Sequence, residues 1–246
     1  MVSFPSPSEA APVFPPDFSP GATTSPNGQR PRADNLHAEA NHRIANNLAM
    51  IAGLVRLHAS DVKAARQENF TRTDVRQLLD EIGSRIETVG RLHRLLSNTR
   101  SDGVVNMADH LRETCEALVA SMSDERAIAL SFCAIGNCAV DPDNAGPVAL
   151  IVSELVTNSI KHAHPAGAPG KILVRCGPGL AGGIYVEVED DGVGLPDGFD
   201  PWKDGGLGFR VVRNLAYQLG ARLAFDMDGL GLKARLIVPA AVLESA

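Results

Sequence analysis

Two narrow apolar seams near the start of the chain constrain its fold more than any other feature. Ile44, Leu48, Ile51 and Val55 step by four, three and four, which lines them up along one stripe of a helix. After a polar stretch around residues 60–73, a second stripe runs through Val75, Leu79, Ile82, Ile86, Val89 and Leu96, with His93 in its one polar slot. Two seamed helices joined by a loop form an antiparallel hairpin, and one hairpin alone buries little surface. A second copy completes such a seam, giving a dimeric four-helix bundle across a two-fold axis. The other arrangement is a single hairpin packed on the rest of the chain.

The remainder reads as α/β, so the expected class is α+β. A helix is expected over 107–121, with Leu111, Cys115, Leu118 and Val119 inward. A strand over 128–133 and a short piece near 138–140 follow. Asp141-Pro142 reads as a helix start leading into 148–163. Strands over 172–176 and 184–189 flank a Gly-Pro-Gly turn. A helix over 206–219 and a hairpin of 222–226 with 233–238 close the sheet.

Eight of the 16 prolines fall within residues 1–33, where few aliphatic side chains could offset the entropy of ordering. The expected division is a disordered arm over 1–33, the helical hairpin over 34–100, and the α/β domain over 101–246.

Composition removes several function classes. Twenty-nine acids against 23 bases leave a net charge of -6, opposite to what a nucleic-acid binder needs to displace phosphate counterions. No apolar run reaches the roughly 18 residues of a membrane-spanning helix. No cation precedes Arg30, so no secretory signal is expected. Cys115, Cys133, Cys138 and Cys176 form no CxxC pair; they suit a reducing cytoplasm, each as a buried packing residue.

Three segments carry candidate chemistry. Glu154, Asn158 and His162 recur every four residues and share one helical face. A carboxylate and an amide one turn apart offer hard oxygens that suit Mg2+, with Lys161 and His162 near phosphate oxygens; a solvated face is the plainer reading. Asp190-Asp191-Gly192-Val193-Gly194 follows a strand. A carboxylate there can accept a hydrogen bond from an exocyclic amine, and Gly192 and Gly194 permit close backbone approach; an acidic turn is the alternative. Gly205-Gly206-Leu207-Gly208 opens a helix, where free N–H groups make a phosphate cradle; a flexible loop is the alternative. His162-Ala163-His164 lacks further ligands at zinc spacing.

Taken together, Glu154-Leu155-Val156-Thr157-Asn158, Asp190-x-Gly192-x-Gly194 and Gly206-x-Gly208 resemble the N, G1 and G2 boxes of the histidine-kinase/gyrase-type ATPases. The resemblance covers about residues 105–240 and implies a Bergerat-type α/β sandwich. It implies Asn158 as a Mg2+ ligand, Asp190 as the adenine reader, Gly206 and Gly208 at the phosphates, and residues 195–205 as a short ATP lid carrying Trp202 and Lys203.

The hairpin distinguishes among these ATPases. Its first helix carries Glu39-Ala40-Asn41-His42-Arg43-Ile44-Ala45-Asn46-Asn47-Leu48, similar to the phosphoacceptor box of the HisKA_2 type of sensor histidine kinase, near the HWE group. His42 lies about 200° around the helix from Ile44 and should be exposed. A neutral imidazole is a competent nucleophile, since an unperturbed histidine titrates near ~6.5. Many such kinases place an acid directly after this histidine, whereas here the position is Arg43. Glu39, three residues earlier on the same face, is the expected proton acceptor, and Arg43 is read as stabilising charge on the transferring phosphoryl group.

The resemblance thus implies a cytoplasmic, homodimeric protein-histidine kinase using ATP and Mg2+, with a response-regulator receiver domain as partner and neither nucleic-acid binding nor membrane insertion. Two rivals share the fold. A histidine phosphotransfer scaffold would typically lack the ATP boxes, and an anti-sigma-type serine kinase would not need the hairpin.

Overall fold

The structure, a computed structural model, describes residues 45–46, 48–53, 55–56, 59–60, 71–98, 105–122, 127–165, 167–179, 182–227 and 231–240. Helix α1 comprises the helical residues within 45–60, and α2 runs Arg72–Asn98. The start of α2 is set by a reciprocal cap. The Thr71 hydroxyl accepts from the Asp74 N–H at 3.1 Å, and the Asp74 carboxylate accepts from the Thr71 N–H at 2.9 Å. That hydrogen bonding holds the Asp74 carboxyl below its usual range.

The seams split between two uses. Met50 and Ile51 of α1 and Val89 of α2 pack into the core of the downstream domain. Leu48, Val55, Val75, Leu79 and Ile86 stay exposed, Leu48 and Leu79 at 60%. Both sequence arrangements therefore describe part of the hairpin: it packs on its own chain and still carries an apolar stripe. Ile44, His93 and Leu96 lie outside the described side chains.

The downstream domain is a five-stranded sheet with helices on one face. Its order is β2(Ile128–Ala134), β4(Gly170–Pro178), β5(Ile184–Asp190), β7(Lys233–Val238), β6(Arg222–Asp226). The β2–β4 pair is parallel and the other neighbours are antiparallel. A separate two-stranded ladder pairs β1(Val105–Asn106) with β3(Ala139–Val140). Alternation gives the sheet its two faces. Ile172, Val174 and Cys176, Ile184, Val186 and Val188, and Ala234, Leu236 and Val238 point to the helices. The opposite face carries Arg175, Glu187, Glu189, Lys233 and Arg235. There Glu187, only 4% exposed, accepts from Arg175 on one flank and Arg235 on the other. Burial alone would raise its carboxyl; the hydrogen bonds from Arg235 and Arg175 outweigh that and hold it low.

Helices α3(Met107–Met122), α4(Pro142–His162) and α5(Leu207–Gln218) cover the inner face. Asp141 caps α4 by accepting from the Asp143 N–H at 2.9 Å, and Pro142 occupies the first turn. The helix starts at the Asp141-Pro142 signal read from the sequence and runs unbroken through Pro147. From Val148 to Val156 every residue is buried. The sheet, α3 and α5 account for its apolar sides. The side carrying Glu154 is covered by α2, which replaces the solvated face with an interface.

Two expectations need correction. Cys133 is exposed rather than buried, because it points from the edge strand β2 to the open face of the sheet. His110, which its place on α3 marks from sequence as a helix-surface residue, is instead 3% exposed, because α3 is covered there. The other thiols are buried, with Cys138 and Cys176 hydrogen-bonded to each other; burial pushes Cys115 up to about 12.

Candidate functional site

Asp190 ends β5, and its carboxylate is fixed from three directions. Oδ2 accepts from the Ser159 hydroxyl of α4 at 2.8 Å, and Oδ1 accepts from the Gly192 and Leu232 N–H groups, each at 3.1 Å. Three neutral donors hold a 6% exposed carboxylate, with no cation paired to it among the described residues, and fix its direction at the cavity described below. Two glycines make the arrangement possible. A Cβ on Gly192 would lie 2.4 Å from both the Cβ and the carbonyl oxygen of Ala163, and one on Gly231 would lie 1.9 Å from the Asp190 carbonyl oxygen. Gly231 also has a φ of +97°, a region that side-chain-bearing residues rarely adopt. Beside this clamp, Asp191 accepts from the Lys171 N–H at 2.7 Å and pairs with His164 at 2.8 Å. The Lys171 hydrogen bond, and then His164, hold the Asp191 carboxyl low.

The second wall is where α4 meets the start of α5. A Cβ on Gly208 would stand 3.0 Å from Glu154 Oε2 and 3.2 Å from Asn158 Oδ1, so the glycine lets the α5 N-terminus press against both side chains. Gly206 is the N-cap residue, and no side chain caps this helix; its first N–H groups are available to an anion. Asn158 Nδ2 is buried with no hydrogen-bond partner among the described residues. A buried polar atom left unpaired costs about 1–3 kcal/mol, and the partner this N–H donor lacks is a hydrogen-bond acceptor.

The third wall comes from the stem. Glu154 is 5% exposed, and both its oxygens accept from Arg85 of α2, Nε to Oε1 and Nη2 to Oε2, the latter at 2.7 Å. In this arrangement the carboxylate is committed to a guanidinium, and Asn158 stands one turn further along the same side of α4. Thr73, Arg76, Asp80 and Ser84 continue the same face of α2 along the cavity.

These walls enclose a cavity of about 950 Å3, in the range of small-molecule sites. Glu154, Asn158, Lys161, His162, Asp190, Gly194, Gly206, Leu207 and Gly208 all line it, while Gly192 supports it from behind. Asn46, exposed on α1, lines a different cleft, against the α4 N-terminus and α5. His42, Glu39 and Arg43 lie outside the described residues.

The 195–205 segment is anchored. Arg213 donates from Nη1 to the carbonyls of Pro201 at 2.7 Å and Asp204 at 2.8 Å. Phe199, Phe209, Phe225 and Trp202 form a chain of ring contacts with centroids 5.5–5.8 Å apart. Phe199 faces the cavity, whereas Lys203 turns away to Asp200 at 2.8 Å. Sequence reading missed Ser159, Gly231, Arg85 and Arg213. Ser159 lies one position past Asn158 and Gly231 just ahead of β7, but no local signal marks Arg85, whose partner is 69 residues away.

A clamped carboxylate at a strand end, a glycine-opened helix N-terminus and a polar helix face around one cavity define a nucleotide-binding α/β sandwich with a helical stem against its pocket. Family comparisons match both parts. Residues 39–122 match the family described as "Histidine kinase", and residues 143–242 match the "Histidine kinase-, DNA gyrase B-, and HSP90-like ATPase" family. The chain belongs to the histidine kinase family, and its sandwich is the ATP-binding domain.

Similar proteins include blue-light-activated histidine kinase 2 of Erythrobacter litoralis, 28% identical over 84% of this chain and 57% of that protein. The sensor histidine kinase PdtaS of Mycobacterium tuberculosis is 32% identical over 79% of this chain and 36% of that protein. The chain thus spans about half the length, or less, of the curated relatives it matches. The solved histidine kinase domain of the Erythrobacter litoralis blue-light-activated kinase superposes with a TM-score of 0.63 at 27% identity, covering 85% of this chain and 95% of that one. No described helix is long and apolar enough to cross a membrane.

Proposed function

We propose that this chain is the kinase core of a cytoplasmic, homodimeric protein-histidine kinase that phosphorylates its own His42 from ATP and passes the phosphoryl group to an aspartate of a response-regulator receiver domain. The observation that carries the reading is the shared cavity: the stem helix α2 walls the same space as Asn158, Asp190, Gly206 and Gly208. A nucleotide bound there lies against the stem that bears the phosphoacceptor.

Asp190 accepts the adenine exocyclic amine, and Gly192 and Gly194 let the base approach the backbone. Gly206, Leu207 and Gly208 present N–H groups to the phosphates, with Lys161 and His162 at the rim. Mg2+, when bound, offsets charge on the phosphate oxygens, held by Asn158 and, once its carboxylate is released, by Glu154. Magnesium takes few protein ligands, which suits one amide oxygen and one carboxylate. His42 Nε2 attacks the γ-phosphorus in line, the N–P bond forms, and the bond to the β–γ bridging oxygen breaks to release ADP. Glu39 takes the imidazole proton, Arg43 faces the transferring group, and Asn46 belongs to the same helical box. Positioning and charge neutralisation supply most of the catalysis.

The exposed stripe of Leu48, Val55, Val75, Leu79 and Ile86 supports the dimer, because two such stripes make the inner surface of a four-helix bundle. The working division is an arm over 1–33, the phosphotransfer stem over 34–100 and the ATP-binding domain over 101–246. The net charge of -6 argues against nucleic acid as a partner.

Incubation with γ-labelled ATP and Mg2+ tests the assignment. The expected label is acid-labile, base-stable, carried by the protein itself, and drained by a receiver domain with an intact aspartate. Acid-stable label on a partner would support the serine kinase instead, and label arriving only from another kinase would support the scaffold.

A further inference from the structure

Among the described residues, three lysine or arginine side chains line the cavity: Arg76 and Arg85 come from the stem helix α2, and the third is Lys161. The segment over 195–205 contributes none, because Lys203 is turned to Asp200. A nucleotide triphosphate carries its highest charge density at its terminal group, so the supply of cations on the stem side calls for an explanation.

Arg85 is placed for that role. Its guanidinium meets Glu154 Oε2 at 2.7 Å, and that same oxygen is 3.0 Å from the Cβ position of Gly208. Arg85 thus stands two contacts from the helix start that receives phosphates. Both partners are nearly dry, with side chains 8% and 6% exposed. A buried ion pair adds little net stability over apolar packing, but it fixes which surfaces meet and is costly to leave half-made. A guanidinium fits carboxylate and phosphate oxygens with the same planar fork, so Glu154 presents to Arg85 the kind of acceptor that a terminal phosphate would.

We propose that Arg85 is the stem's γ-phosphate recognition residue, stored on Glu154 while the terminal phosphate is absent and transferred to the phosphate oxygens when a triphosphate binds. Handover frees the Glu154 carboxylate beside Asn158 and ties the terminal phosphoryl group to the stem. With a diphosphate the Arg85–Glu154 pair persists. The site therefore discriminates its substrate from its product through the stem, and the occupant of the pocket sets the contact between α2 and α4. This inference rests on the cavity being the nucleotide site.

Calorimetry on the full chain with Mg2+ separates the two claims, using ADP and the β,γ-imido analogue of ATP. Wild type binds both and prefers the analogue. Arg85→Ala weakens the analogue about tenfold or more, the worth of a lost charge-assisted pair, and ADP less than about twofold. Arg85→Lys, which keeps the charge but not the fork, falls between. Arg85→Ala combined with Glu154→Gln, which leaves no unpaired buried carboxylate, keeps the loss of preference. Equal weakening of both nucleotides, or an unchanged preference for the analogue, overturns the role of Arg85. Failure of wild type to bind ADP overturns the nucleotide site itself.

Discussion

Replacing Asp190 by asparagine separates the carboxylate's structural work from its recognition work. The amide oxygen can keep the Oδ1 position, accepting from the Gly192 and Leu232 N–H groups now at 3.1 Å. The amide nitrogen takes the Oδ2 position opposite Ser159, whose hydroxyl, now a donor at 2.8 Å, can rotate to accept instead. Every buried polar atom keeps a partner, so the stability cost should be near that of one altered hydrogen bond, about 1 kcal/mol. That corresponds to a fall in Tm of about 2–4 °C for a chain of this size. Nucleotide binding should suffer more. A charged acceptor for the adenine amine is lost, and a charge-assisted hydrogen bond is worth about 1.5–3 kcal/mol, or roughly 10- to 150-fold in affinity. Thermal unfolding and ADP calorimetry on the same preparation give both numbers. Affinity within twofold of wild type with Tm preserved would refute Asp190 as the base reader; a collapse of Tm by tens of degrees would refute the hydrogen-bond reasoning.

Glycine substitutions at two points of the site should differ sharply. Gly192→Ala drives a Cβ to 2.4 Å from Ala163 backbone and side chain and should cost about 3 kcal/mol or more, whereas Gly206→Ala meets nothing within 4 Å and should leave Tm nearly unchanged; chemical denaturation compares them. Glu187→Gln should cost about 2 kcal/mol at pH 7, between an exposed and a fully buried pair. Because the folded carboxyl is held low, that stabilisation is present above the unfolded glutamate value and lost as pH falls through the folded one, so the two proteins should converge in acid-unfolding curves below about pH 4. Lysine at Leu79 and Ile86 together places charge on the exposed seam and should shift sedimentation from dimer to monomer while the nucleotide site still binds ADP; an unshifted dimer would place the interface elsewhere.

Most of the domain's elements can be read from local pattern. The period-two alternation of β4, β5 and β7 and the turn signals around them locate the strands to within a few residues, and Asp141-Pro142 marks the α4 start. The ATP boxes are legible because each is a short run whose chemistry is local: a helix face, a strand end, a glycine-opened helix. What escapes is what the tertiary fold brings together. Glu154 reads as a solvated or metal-facing acid because nothing nearby in sequence announces α2 above it, and Arg85 reads as an ordinary polar position on a seamed helix. Ser159 and Gly231 fall into the same class, their roles set by Asp190 at 31 and 41 positions' distance. The seam itself was legible as apolar, but its division between the domain core and an exposed stripe depends on how α4 meets the hairpin.

The central claim is that a nucleotide held between α4, α5 and the stem donates its terminal phosphoryl group to an imidazole of the same protein. Mapping the modified residue by mass spectrometry at neutral pH, after brief incubation of the wild-type chain with ATP and Mg2+, tests this most directly. A single phosphoryl group on His42, absent from His42→Ala although that variant still binds nucleotide, is the predicted result. Phosphate on another side chain, or a nucleotide-loaded protein with His42 unmodified, would contradict it.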